Sequence, residues 1–225
     1  MNIMSETYRS VEHTVTGATK AEIMQKVLNW FVISLVMATL GTVIGRGIPM
    51  TFYIPLVVLE FALLIAMIFV RKSKSASKIG YGLLLAFAFV TGLVLAPTLQ
   101  YYLDAGAGNA VLMAFATATV TFTVLGFVGA KMKTDLSFMA KGLFAALLIV
   151  VVISLISIFF PLSSLMSTIF AGAGTLLFSL YILFDFNQIM KRDVTMQDVP
   201  VLALSLYLDF LNLFLFLLRL FTGRS

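Results

Sequence analysis

The sequence predicts an all-α polytopic membrane protein with seven transmembrane helices, and three observations lead there. Of the 225 residues, 61% are hydrophobic and 11% charged, with a mean hydropathy of +1.07; an ordinary soluble domain is about half apolar and about a quarter charged. The few charges lie between long apolar runs, as loop charges do in membrane proteins. The runs are about the 20 residues that a helix needs to cross the hydrocarbon core, and they lack the alternation of barrel strands. This composition excludes a soluble enzyme, a disordered regulator and a nucleic-acid binder, even though the net charge is +5 and the pI near 9.5.

Residues 1–26 are polar and carry Glu6, Arg9, Glu12, Lys20, Glu22 and Lys26. They lack the basic start, short apolar core and cleavage site of a signal peptide. They read as an N-terminal tail with a short surface helix, followed by a transmembrane domain over 27–222. Span one, about 27–45, is the uncharged run between Lys26 and Arg46. Span two, about 51–70, holds a single charge, Glu60. Span three runs from about Ile79 to Leu103 with Pro97 near its end. Span four follows the Gly106, Gly108 and Asn109 turn and reaches about Ala130. From Gly142 to Met190 the one charge is Asp185, and the stretch is too long for one crossing; Pro161, Ser163 and Ser164 divide it into spans five and six. Span seven covers about 199–220 and contains Asp209.

The basic residues set the orientation. Twelve lysines and arginines fall in the tail and in the loops after spans two, four and six, against Arg46, Arg219 and Arg224 on the other side. The positive-inside rule therefore puts the N-terminus in the cytosol and the C-terminus outside. Receptor and rhodopsin arrangements place the N-terminus outside, and span seven has no lysine for a retinal Schiff base, so both are disfavoured. There is no cysteine, and the one histidine, His13, lies in the tail. Neither a thiol nucleophile nor an HExxH zinc site is available, and no enzymatic activity is expected.

An ionisable group inside a span is costly and is a functional candidate for that reason. Glu60, Asp185 and Asp209 qualify. At about 1.5 Å per residue, Asp185 and Asp209 lie about 8 Å and 14 Å inside the cytosolic surface on consecutive antiparallel spans, depths at which they can meet. Glu60 has a depth similar to that of Asp209, so all three are expected in the inner half of the bundle. Ser205, Asp209 and Asn212 share one face of span seven, with Arg219 on nearly the same stripe. Interhelical hydrogen bonding is the plainer use of such a stripe, although Ser and Asn alone would provide it. Two carboxyls in contact cannot both ionise cheaply and titrate as a unit. They form a proton sensor and, when deprotonated, a partial shell of hard oxygens for calcium. Arg71, at the cytosolic end of span two, is either an ordinary loop cation or a latch that reaches an acid on span six. Gly41 and Gly45 in span one form a GxxxG for close helix packing.

The segments Ser179-Leu-Tyr-Ile-Leu-Phe-Asp185-Phe-Asn-Gln-Ile189 and Ala203-Leu-Ser-Leu-Tyr-Leu-Asp209-Phe-Leu-Asn-Leu-Phe214, with Gly129-Ala-Lys-Met-Lys-Thr-Asp-Leu-Ser137, resemble the transmembrane Bax inhibitor motif family. The similarity extends from about residue 20 to 220 and is nearest to the bacterial pH-sensitive calcium-leak members. It implies six helices around a central seventh, and a calcium leak controlled by the pair Asp185 and Asp209. It also implies Arg71 as the latch and Glu60 as the span-two acid of the ion pathway. The implied setting is a bacterial cytoplasmic membrane. Calcium and protons are the expected ligands, with no resident cofactor, and a monomer suffices because seven helices enclose a path. A regulator that binds a membrane protease or another membrane protein, and a proton-coupled calcium antiporter, remain as alternatives.

Overall fold

In the computed structural model, the described residues are 18–70 and 76–223. Among these, seven helices are long and apolar enough to cross a membrane. They are α1 (Lys20–Gly45), α2 (Tyr53–Val70, after a 3-10 turn at Met50–Phe52), α3 (Ala76–Asp104), α4 (Gly108–Lys131), α5 (Ala140–Phe159), α6 (Ser164–Lys191) and α7 (Val199–Thr222).

Local chemistry explains the boundaries. α1 starts seven residues before the expected first span because Thr19 and Glu22 form a reciprocal capping box, with bonds of 2.9 and 3.2 Å. The short surface helix anticipated in the tail is thus the first two turns of the span itself. Residues 1–17, including His13, lie outside the described residues. Pro97 does not end α3, which continues to Asp104; packing in a bundle tolerates one missing amide bond. Gly106, with φ +75°, makes the turn into α4. Asn109, expected in that turn, is already in the helix. Ser163 caps α6 after the break at Pro161.

α7 is the innermost helix: 61% of its most apolar stretch is buried, against 6% for α2 and for α5. It packs on α6, α4, α1 and α3. α2 leans on α3 and α5 on α6, so these two form the outer wall and turn mostly apolar side chains to the lipid. α1 and α3 make the closest approach, through the small residues anticipated in span one. A Cβ on Gly41 would lie 2.1 Å from the Phe89 carbonyl oxygen, and one on Gly92 would lie 2.1 Å from that of Ala38. Gly129 of α4 is likewise pressed against the backbone of Leu183 on α6. These contacts fix the bundle around α7 without side chains to separate the backbones.

Candidate functional site

The late part of α6 and the middle of α7 bring Asp185 and Asp209 side by side, with the two carboxyls within hydrogen-bonding reach of each other. Two carboxyls this close do not both ionise cheaply. Asp209 is 5% exposed, and one of its carboxyl oxygens has no hydrogen-bond partner. Asp185 is half-buried, within reach of the Ser205 hydroxyl one helical turn before Asp209. A buried carboxyl oxygen without a partner costs about 1–3 kcal/mol or more, which packing alone does not explain.

On the Arg192 side, Asp185 and Ser205 line a cavity of about 180 Å³ together with Gln188, Arg192, Asp193 and Asp198. Among the described residues, the charge of Arg192 acts on Asp185 and also on Asp135. It also packs over the Phe184 ring at 6.0 Å, and its carbonyl accepts a hydrogen bond from Lys20. Arg71, the latch expected from the sequence, lies outside the described residues.

Glu60 is not part of this cluster. Its carboxylate accepts a 2.8 Å hydrogen bond from Thr91 on α3. It faces a second cavity of about 600 Å³, bounded also by Thr98, Ser154 and Asn212. The expected convergence of three acids therefore resolves into a pair and a separate single acid. Among the described residues, no three acidic or imidazole groups are placed to hold a metal together, so the three-acid calcium site is not formed. The reason is geometric. α2 packs on α3 and is kept off α7 by the cavity, so Glu60 at a similar depth still points elsewhere. Tyr207 of α7 is fully buried near Thr91 and Glu60, without a well-formed hydrogen bond to either.

The polar stripe on α7 runs past both cavities. Ser205 belongs to the first, Asn212 to the second, and Asp209 sits between them. Asn212 donates to its own helix at Leu208, 2.7 Å away, which leaves its carbonyl oxygen for the chamber. Arg219, expected on nearly the same stripe, lies over the Phe170 ring of α6 at 5.6 Å.

Sequence reasoning passed over Asn187 and Gln188, directly after Asp185. The fully buried Asn187 accepts from the Leu136 amide (3.0 Å) and donates to the carbonyls of Thr134 (3.0 Å) and Gly129 (3.3 Å). Gln188 accepts from the Ser137 hydroxyl (3.0 Å) and donates to Asp135 (3.1 Å). The loop after α4 is thereby fastened against the end of α6 that carries Asp185. The Ser137 hydroxyl and amide, then Gln188 and the Arg192 charge, hold the Asp135 carboxyl below the usual carboxylate range. A usable signal was present: two amide side chains at the end of a span, in a helix otherwise rich in Leu and Phe.

Residues 20–225 match the family model described as inhibitor of apoptosis-promoting Bax1. The chain belongs to the Bax1 inhibitor family. An uncharacterized protein of Helicobacter pylori is 37% identical over 199 residues, covering 85% of this chain and 82% of that protein. One from Campylobacter jejuni is 33% identical over 219 residues, covering 94% and 93%. The Arabidopsis thaliana protein LIFEGUARD 1 is 41% identical over 112 residues, 49% of this chain and 47% of its own length. Several streptococcal relatives are described as membrane proteins. This Bax1 inhibitor family member is accordingly a multi-pass membrane protein, with an acid pair in its central seam.

Proposed function

We propose that this protein is a passive, pH-sensitive calcium leak of a bacterial cytoplasmic membrane, gated by protonation of the Asp185–Asp209 pair. The observation that supports this most is the position of the pair: Asp185 and Ser205 line one cavity, Asn212 lines another, and Asp209 lies between Ser205 and Asn212 along α7. A single shared proton joins α6 to α7 and closes the seam. Losing that proton brings two negative charges together, and gaining a second removes the attraction for Arg192; either change loosens the same contact.

Calcium prefers about six to eight oxygen ligands. The two carboxylates and Ser205 supply part of such a shell, and Glu60, Thr91 and Asn212 offer a second partial set farther along. Incomplete shells in series suit passage better than storage. In this reading calcium and protons are the ligands, no resident cofactor or catalytic step is involved, and one chain in its bilayer is sufficient. The basic bias places the N-terminus in the cytosol and the C-terminus outside. Reporter fusions after Ser225 and within 72–78 landing on the same side would refute that orientation.

The deciding experiment is calcium entry into liposomes that contain only this protein, measured across a pH series. The expected result is downhill entry whose rate changes with pH. No flux at any pH would overturn the reading and favour a partner-dependent regulator. Uphill calcium movement driven by an imposed proton gradient would make the protein an antiporter.

A further inference from the structure

We propose that a groove between α1 and α4 binds one acyl chain of an anionic phospholipid, from the leaflet on the Arg46 side, with the headgroup phosphate on Arg46. The groove includes neither aspartate and shares no wall with the cavity at Arg192; it backs onto the Glu60 chamber, with which it shares Leu95 and Leu211. α1 and α4 both pack on α7 but hardly on each other. The furrow left between them has a volume of about 400 Å³ and is floored by Phe210, Leu211 and Phe214 of α7. That is in the range of roughly 300–1,000 Å³ typical of small-ligand pockets, and too narrow for a helix about 10 Å across.

The furrow is blind. Phe31 of α1 stacks on Phe122 of α4 at 4.6 Å, and Phe210 meets each ring edge-on at 5.7 Å. This trio closes the groove toward the Arg192 side, so it serves one leaflet and is no route across the membrane. Its length fits that role. Along α1 it runs from Leu35 to Arg46, which at about 1.5 Å per residue is ~16 Å, against ~15 Å for half of the hydrocarbon core.

The chemistry of the lining points to a chain with an anionic end. The hydroxyls of Thr39 and Thr42 donate to their own helix, to Leu35 at 2.8 Å and Ala38 at 3.0 Å, which leaves them no proton to donate to a ligand. Apart from Tyr207 at the floor, the rest of the wall is apolar up to Arg46. The groove is open to the bilayer along Val43, Leu112 and Phe115, which are 59%, 67% and 47% exposed. Arg46 is exposed and, among the described residues, has no ion pair or ring partner. Asp104, the acid at the neighbouring end of α3, accepts from Gln100 at 2.7 Å. Tyr101 and Tyr102 at the same end are of the type that marks the headgroup level. A guanidinium offers forked donors that match a phosphate, and among the described residues no carboxylate is paired with them.

The test uses full-length protein reconstituted in vesicles of equal phosphatidylglycerol and phosphatidylcholine, extracted in mild detergent and weighed by native mass spectrometry. One phosphatidylglycerol per chain should be retained in several-fold excess over phosphatidylcholine. Arg46→Gln should bring the two lipids to near parity while lipid is still retained. Leu112→Trp, a change on the lipid-facing edge, should fill the groove and lower retention of both; Val43→Phe is an equivalent filler should the first variant be lost. Absence of retained lipid, equal retention of both lipids by the unaltered protein, an unchanged excess in Arg46→Gln, or undiminished retention in both fillers would overturn the proposal. The readout is binding, so it stands or falls independently of calcium flux.

Discussion

Thr91 on α3 donates a 2.8 Å hydrogen bond to the Glu60 carboxylate on α2, and this bond assigns Glu60 to the large chamber instead of the aspartate pair. Glu60→Gln keeps an oxygen that can accept from Thr91, so the helices should pack as before while the chamber loses its charge. We expect a several-fold fall in calcium flux with the pH midpoint nearly unchanged. A shifted midpoint with unaltered flux would place Glu60 in the sensor.

For the pair itself, Asp185→Asn and Asp209→Asn should each flatten the pH response, because a carboxamide cannot share a titrating proton. The double variant should be much less than additive, with a coupling of about 0.5–3 kcal/mol in the double-mutant cycle. Two single variants, well folded in liposomes, that retain the original midpoint and steepness would reduce the pair to interhelical glue.

The cation that acts on the pair can be found by comparison. Arg192→Gln should shift the flux–pH profile, since its charge reaches Asp185. Lys191→Gln, the exposed neighbour, should leave it in place. Arg71→Ala measured alongside tests the latch expected from the sequence. A profile that moves with Arg71 and not with Arg192 would return the latch to the end of span two.

Gly41→Ala should destabilise the bundle by about 1–3 kcal/mol, the ordinary cost of overpacking. The added methyl would meet the Phe89 carbonyl oxygen at 2.1 Å, a backbone atom that cannot turn away. Gly172→Ala, with open space around the new carbon, is the matched control. Thermal melts in detergent that do not separate the two variants would refute the close α1–α3 contact.

The loop after α4 has its own pH dependence. Asp135 is held below the usual carboxylate range by Ser137, Gln188 and Arg192. A lowered folded value contributes stability that is fully present above the unfolded value, and that stability is lost as pH falls through the folded one. Protection of the Leu136 and Ser137 amides against hydrogen exchange should therefore persist at neutral pH and weaken only in acid. Asp135→Asn should remove the acid dependence. Loss of protection already near neutral pH would show that another group controls the loop.

Much of the fold is determined by the sequence, because crossing a bilayer imposes a length and a polarity that can be counted residue by residue. The seven spans, the break at Pro161, the turn at Gly106 and the small-residue seam of Gly41 and Gly45 are all of this kind. So is the pairing of Asp185 with Asp209, since two consecutive antiparallel helices leave little freedom in relative depth. Depth along a helix axis says nothing about which neighbour a side chain faces, and there the tertiary structure decided. It turned Glu60 toward Thr91 and away from the pair, through the packing of α2 on α3. It placed Arg192 beside Asp185 and used Asn187 and Gln188 to fasten a distant loop beneath it. It also left a blind furrow between α1 and α4, because each leans on α7 and scarcely on the other. These are outcomes of azimuth and of contacts between helices far apart in the chain, which the hydrophobic length of a span does not encode.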